Sequence, residues 1–532
     1  MRFPSSLFLT LAFSASLAAQ MPPGWNVAPR LGSDEPHGAF WYGAGLWAAD
    51  RHGPPATLVD SLGMGNALTG QGIHLEAGFA RGNWDLAAQL LAVHSPQGAD
   101  YLSLYRGHAT WQNRLDPQWV FSLEMEPLVW GFGLNGGYLL GDAARPFPRF
   151  RVESPRADLH VFKVPLGTWS WQAFLGRLEN RRAFSDSLQN PLEQKDLATI
   201  QGDPQAPLIS GYRVQAEFSD FMEFYANYLN LWGGTLNGRG VLDGYSLSEF
   251  GTAMFGLKDT LAESNIDVNS GLPQNNAYAN RARSSSAADV GFRVRSRPLE
   301  RALGAESVYG YFSRGSKSLG SSFSLLGSNP GKYIWKDIHA EFQAASQLRL
   351  GRIWGQTGRY TSPNLTSPNE TIGLLAAWPG FRLGLEYLDA VNAYGPGGPQ
   401  VRPWNSGMYP SGFYYHGDPL GNATGGEART TTLRIEADLG RRLTGTTLLH
   451  RGERPFRDNL ALWMEAHPAT APTPDRFVGL QQSLLWQVRP GVSLAAGASW
   501  ERHDAVDNTP GARKNGFQYY SDLSFRWPAP AI

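Results

Sequence analysis

The sequence predicts an all-β fold, a transmembrane antiparallel β-barrel of the outer membrane with about 18 strands, long extracellular loops and short periplasmic turns. Three observations predict it. Segments of about ten residues carry apolar side chains at every second position, the length a tilted strand needs to cross a bilayer. The connections between them alternate between short and long. Beyond the N-terminus, no run of 18 apolar residues offers a spanning helix.

The chain has 532 residues and opens with Met1-Arg2-Phe3-Pro4, an apolar stretch from Leu7 to Phe13, and Ser16-Leu17-Ala18-Ala19-Gln20. One positive charge, a short apolar core and a small-x-small site make a secretory signal peptide, residues 1–18, cleaved after Ala18. Residues 19–37 then form a periplasmic segment, 38–527 the barrel and 528–532 a tail. The absence of Cys fits an envelope protein and excludes disulfide scaffolds, zinc fingers and thiol nucleophiles. With 46 Lys plus Arg against 46 Asp plus Glu, the chain lacks the basic excess that nucleic-acid binding needs.

The alternation is strict in several places. Ile73, Leu75, Ala77 and Phe79 share one face, opposite His74, Glu76 and Gly78. The same period sets Trp119, Phe121, Leu123 and Met125 against Ser122, Glu124 and Glu126. Tyr212, Val214, Ala216 and Phe218 oppose Arg213, Gln215 and Glu217, and Val290, Phe292 and Val294 oppose Asp289, Arg293 and Arg295. Leu433, Ile435, Ala437 and Leu439 face away from Arg434, Glu436 and Asp438. Near the end, Phe517, Tyr519, Leu523, Phe525 and Trp527 oppose Gln518, Asp522, Ser524 and Arg526.

A soluble sandwich alternates too, so the connections carry the argument. Direct reading gives twenty strands, near 38–48, 71–80, 82–92, 102–112, 117–126, 157–164, 168–178, 208–218, 221–232, 286–296, 305–314, 336–344, 347–356, 371–379, 380–390, 428–438, 441–451, 475–487, 491–501 and 515–527. Short turns such as Arg81-Gly82, Gly380 and Pro490-Gly491 alternate with long excursions at 49–70, 127–156, 179–207, 233–285, 315–335, 391–427, 452–474 and 502–514. A sandwich has no reason to gather its long loops at one end.

Two stretches carry a resemblance. Glu126-Pro127-Leu128-Val129-Trp130-Gly131-Phe132-Gly133-Leu134-Asn135-Gly136-Gly137-Tyr138-Leu139-Leu140, followed by Ala144-Arg145-Pro146-Phe147-Pro148-Arg149-Phe150-Arg151, resembles the WGxG…L…PFP segment of the Wzi family of capsule assembly proteins. Tyr415-His416-Gly417-Asp418-Pro419-Leu420-Gly421-Asn422-Ala423-Thr424-Gly425-Gly426-Glu427 is similar to that family's GxPLGxxxGG[DE] loop. The resemblance spans nearly the whole mature chain. It implies an outer-membrane lectin barrel of about 18 strands that holds capsular polysaccharide on the cell surface. The family's N-terminal helical segment, which closes the periplasmic mouth, is matched here only by a weak helical pattern at 56–62. The stretch 141–145 lacks the family's Asn before PFP.

Enzyme chemistry finds no anchor. Gly131-Phe132-Gly133-Leu134-Asn135-Gly136 fits GxGxxG, but no strand-turn-helix surrounds it, and it reads as a glycine-rich loop. His339-Ala340-Glu341 would need Cys ligands for zinc deaminase chemistry. HExxH and GxSxG are both missing. Glu124 and Glu126 form a carboxylate pair on one strand face, the type of pair that cleaves glycosides. A charged barrel interior makes such pairs routinely, with Arg213, Arg293 and Arg295 as ionic partners across the lumen.

Sugar binding has a better foothold. The 391–427 loop carries Trp404, Tyr409, Tyr414, Tyr415, His416 and Asp418 among Gly, Pro and Asn. Aromatic faces stack on pyranose rings and planar polar groups satisfy hydroxyls. An aromatic girdle at the membrane interface would have the same composition. Trp130, Asn135 and Arg145 are candidates of the same kind in the 127–156 loop. The expectation is a monomeric, non-enzymatic outer-membrane protein, surrounded by lipid, that binds and retains capsular or surface polysaccharide without metal or cofactor. The alternative is a diffusion channel of the porin type.

Overall fold

The computed structural model describes residue 31 and residues 40–52, 70–94, 101–113, 118–134, 137–141, 146–161, 164–180, 205–218, 221–236, 239–240, 246–255, 284–316, 369–389, 414–415, 418–421, 428–454, 473–506 and 509–528. The alternating segments become the wall of a closed antiparallel barrel. Its first half comprises β1 (Phe40–His52), β2 (Gly70–Arg81), β3 (Trp84–His94), β4 (Tyr101–Gln112), β5 (Val120–Met125), β6 (Arg149–Glu153 and Ala157–Val161), β7 (Val164–Arg177), β8 (Leu208–Phe218) and β9 (Met222–Trp232). The second half comprises β10 (Ser284–Arg295), β11 (Ser307–Ser316), β12 (Asn369–Trp378), β13 (Phe381–Asp389), β14 (Arg429–Gly440), β15 (Leu443–Arg454), β16 (Asp475–Arg489), β17 (Val492–Asp504) and β18 (Arg513–Pro528). Each strand pairs with the next, and β18 returns to β1 over a register from Trp41↔Pro528 to His52↔Phe517. Closure leaves no free edge, as a spanning sheet requires.

The ring has 18 strands, not the twenty of the direct count. The expected strands at 336–344 and 347–356 lie outside the described residues. Their neighbours β11 and β12 pair directly, Ser307↔Ala377 to Gly315↔Asn369, so the wall closes without them. Alternation marks a segment as strand-like but says nothing about its partner. One strand was also only half legible: β6 is interrupted at Ser154-Pro155-Arg156, yet both of its stretches pair with β7. Pro155 has no N–H to give to a ladder, which explains the break.

The wall is inverted relative to a soluble protein. Outward-facing Leu46, Leu102 and Leu123 are 57%, 70% and 64% exposed, while inward-facing Glu386, Asp289 and Glu501 are almost wholly buried. Such a surface is stable only against lipid. Nine connections at one end run from six residues (95–100) upward, and eight at the other include two-residue turns such as Arg81-Gly82-Asn83-Trp84. Both barrel termini lie at the short-turn, periplasmic end. One periplasmic connection contains a helix the sequence did not signal, α2 (Arg297–Leu303), stopped by Gly304 at φ 61°. Another helix, α1 (Leu247–Met254), belongs to the outer loop after β9.

Candidate functional site

The loop between β5 and β6 does not stay above the barrel. It leaves the wall at Glu126 and reaches β9 to β13, up to eight strands around an 18-strand ring. Phe132 lies edge-on to Tyr225 of β9 at 4.9 Å, with the Arg293 guanidinium 4.6 Å over its face. Leu134 packs with Tyr311 and Leu375, and its backbone N–H donates to Glu386 Oε2 at 2.6 Å. The Tyr311 hydroxyl donates to the same oxygen at 2.6 Å. The segment therefore crosses the lumen and is fastened on the far wall.

Its tip is a tight antiparallel return. Trp130 N–H donates to Leu140 O at 3.0 Å, and Gly137 N–H to the same oxygen at 3.1 Å. A Cβ on Gly137 would lie 1.5 Å from Trp130 O, so only glycine lets the two limbs close. Gly131, the first glycine of the GxGxxG run, has φ 138° and would carry a Cβ 2.8 Å from Gly137 Cα, so it serves the same close approach, and among the described residues no helix follows it.

Behind the tip is an apolar core on the inner face of the wall. Trp130, Tyr138, Leu140 and Phe147 pack with Phe174 of β7, Ile209 of β8 and Leu229 and Leu231 of β9. Tyr415 and Leu420 join the same cluster from the loop between β13 and β14. Ring centroids run Trp130 to Phe174 at 5.3 Å, Phe174 to Phe147 at 5.8 Å and Phe147 to Tyr415 at 6.0 Å. Gly141 N–H donates to Leu420 O at 2.6 Å. The described parts of the two loops nominated from sequence for sugar contact are thus one packed unit.

Within that unit, the nominated residues separate. Trp130 is 0% exposed and Tyr415 7%, so both rings face protein. The Trp130 indole N–H donates to Gln172 Oε1 at 3.2 Å. These two are anchors, and neither offers a free face for a pyranose. The backbone of Tyr414 and Asp418 lies in a two-strand ladder, Tyr414–Tyr415 against Asp418–Pro419. Trp404, Tyr409, His416, Asn135 and Arg145 lie outside the described residues, as do His339 and Glu341. Sequence reasoning did not single out Tyr311, Phe174 or Glu386. Parity with Leu385 and Tyr387 puts Glu386 on the inner face, but nothing in the pattern announces the loop it holds.

The inner wall below is ionic. Glu124 does take arginine partners, but they come from the adjoining strand and not from across the lumen: Arg149 at 2.8 Å and Arg151 at 2.9 Å. Glu126 bonds Arg106 at 2.9 Å and His108 at 2.8 Å. Arg293 instead pairs with Glu223, and Arg295 with Glu300. Alternation gives the face of a residue, whereas register chooses its partner. On the opposite side, His450, Glu501, His503 and Asp475 form a buried chain of imidazoles and carboxylates. Among the described residues, no group of three or more His, Cys, Asp and Glu is arranged to hold a metal ion.

Ser524, His74 and Asp522 also meet, without the geometry of a nucleophilic triad. Gln89 donates to His74 Nδ1 at 3.3 Å, which leaves Nε2 as the N–H that faces Asp522 at 3.1 Å. Ser524 donates to Asp522 at 2.7 Å and meets that same Nε2 at 3.4 Å. A protonated nitrogen cannot accept the serine proton.

No family model and no curated protein matches the sequence. Among solved structures, the chain is similar to Wzi of Escherichia coli, described as an outer membrane protein involved in group 1 capsule assembly and a carbohydrate-binding β-barrel. The TM-score is 0.56 at 15% identity, over 92% of this chain and 84% of that one. OprD of Pseudomonas aeruginosa aligns with TM-score 0.42 at 9% identity over 92% of this chain and 94% of that one. OccK1 (OpdK) of the same organism gives 0.44 at 10% identity over 92% and 99%. At such identity the likeness to Wzi speaks for the fold. With the inverted wall and the closed ring, it makes this chain an 18-stranded β-barrel of the outer membrane.

Proposed function

We propose that this protein binds and retains capsular or surface polysaccharide at its extracellular end, as a lectin-like barrel and not as an enzyme. One observation carries the reading: the 126–148 segment crosses the lumen and locks onto the base of the 390–428 loop. Aromatic and planar polar residues are what a glycan surface needs, and a rigid base lowers the entropy of ordering them on binding. The richest run of them in the sequence, Trp404 to His416, belongs to that same connection. The Wzi likeness, to a carbohydrate-binding barrel, supports the same reading.

The test is equilibrium binding of the detergent-folded protein to polysaccharide from its own host, with an unrelated barrel as control. Removal of residues 397–412, which spares Tyr415, should abolish saturable binding and leave the fold intact. Unchanged binding by that variant would reject the loop assignment.

A second reading, a diffusion channel, draws on the charged inner wall of β4 to β6 and β14 to β17. It requires a path past the crossing segment. Steady planar-bilayer conductance by the wild-type protein, together with no glycan binding, would favour it.

A further inference from the structure

In the connection after β9, the described stretch Ser246 to Phe255 lies against the outside of the wall. Leu229 and Leu231 point inward into the apolar core, so Asn230 and Trp232 point outward. Lower on the same outer face, Val214 and Phe224 are 45% and 36% exposed, as lipid-facing residues are. Asn230 and Trp232 are 0% exposed. What covers them is α1 and the residue after it. Phe250 lies edge-on to Trp232 at 4.9 Å, and Phe255 stacks on Tyr212 at 5.3 Å. The wall also satisfies carbonyls at the helix end, an end that otherwise lacks partners. Ser210 donates to Met254 O at 2.6 Å, Asn230 to the same oxygen at 3.3 Å, and Tyr228 to Phe255 O at 3.0 Å.

The helix is thus bonded to the outside of the barrel, and its height can be placed. Ten residues separate Met222, at the periplasmic end of β9, from Trp232. At ~3.3 Å per residue and a tilt of ~40°, that is about 25 Å along the membrane normal, the height of the apolar band. α1 therefore sits where the outer leaflet's acyl chains meet its headgroups. There Leu247, Phe250 and Phe255 are 88%, 38% and 44% exposed. Its sequence, LSEFGTAM, contains no Lys or Arg to address a phosphate.

We infer that α1 is an interfacial helix whose Leu247, Phe250 and Phe255 bury into the acyl chains of outer-leaflet lipid, extending the lipid-facing wall upward at β8 and β9. Continuity with the bare apolar wall below names lipid as the occupant. Burial of apolar surface drives such contact. The device ties the described part of this connection to the outside of the wall.

The chain has no Cys, so a single introduced cysteine reports cleanly. Leu247→Cys would carry a spin label in proteoliposomes, with Leu123→Cys as a lipid-belt control and the exposed Lys514→Cys as a water control. Collision with oxygen and with a water-soluble nickel chelate reads the environment. The Leu247 label should follow Leu123, with an oxygen-to-chelate ratio severalfold above that of Lys514. A ratio equal to that of Lys514 would overturn the proposal. Disulfide cross-linking of Leu247→Cys between two copies in the bilayer would overturn it as well, by giving the surface to a second protein.

Discussion

Glu386 holds Leu134 by its backbone N–H at 2.6 Å, with Leu134 delivered to the far wall by a loop that starts eight strands away. The bond is buried and shares its acceptor with the Tyr311 hydroxyl. A Cβ on Gly384, two residues before Glu386, would come within 2.6 Å of the Leu134 side chain, so the wall is cut to receive it. The carboxylate therefore serves as a latch for the segment that crosses the lumen.

Replacing that latch should loosen the crossing. Glu386→Ala leaves two buried donors without their acceptor, a cost of about 1–3 kcal/mol for each unmade bond. The expected outcome is a variant that folds but shows transient conductance steps in planar bilayers, above the wild-type level. Identical traces for the two proteins would mean the segment does not depend on this bond for its place.

Trp130 and Trp404 should behave as opposites. Trp130 is fully buried against Phe174, so Trp130→Ala opens a cavity costing about 3–5 kcal/mol, visible as earlier unfolding in urea. Trp404→Ala should leave the unfolding midpoint in place and weaken glycan binding by roughly 0.5–1.5 kcal/mol, the range for a stacked aromatic contact. Equal destabilisation by both would place Trp404 in the packing instead.

How much of this was legible beforehand depends on which property a pattern encodes. A two-residue period fixes the face, so it places Glu76, Glu124, Arg293 and Glu436 on the polar side without any register, and all four line the interior. Partnering needs strand order and register, which is why the sequence alone does not give Arg149 and Arg151 as the partners of Glu124. Five-residue Arg149–Glu153 was absorbed into a loop because the break at Pro155 left it too short to show its period. The aromatic content of residues 127–156 suits a binding surface equally well, since composition cannot distinguish a ring aimed at solvent from Trp130 folded into the lumen. α1 leaves no signal in the sequence because an eight-residue helix inside a long loop has too few turns to show a period.

The Glu124 pair offers a direct test of the ionic wall. Arg149 and Glu124 side chains are 1% and 2% exposed, and Arg151 converges on the same carboxylate. Glu124→Gln would leave two guanidinium groups facing each other without their shared anion. Breaking a buried pair in this way costs about 3–5 kcal/mol. Assembly into liposomes, followed by the heat shift of the folded band on a gel, should show a lower melting temperature. Glu124→Gln combined with Arg149→Met should recover part of the loss. Absence of any shift in the single variant would mean water reaches the pair and screens it.

The periplasmic turn between β10 and β11 should respond to acid. Glu300 sits in α2, and its carboxylate is held below the usual glutamate range mainly by the Arg295 guanidinium, which donates to it at 2.6 Å. The same oxygen accepts the Val308 backbone N–H at 3.2 Å. A depressed carboxylate stabilises the turn fully above its ordinary value of about 4.3, and that contribution fades as pH falls through the lower folded-state value. The amide proton of Val308, followed by NMR in detergent, should therefore hold a constant shift at neutral pH and move in a single step below pH ~4. In Glu300→Gln that step should vanish while the rest of the spectrum keeps its pattern. A step that persists in the variant would trace to another carboxylate and remove Glu300 as the tie between α2 and β11.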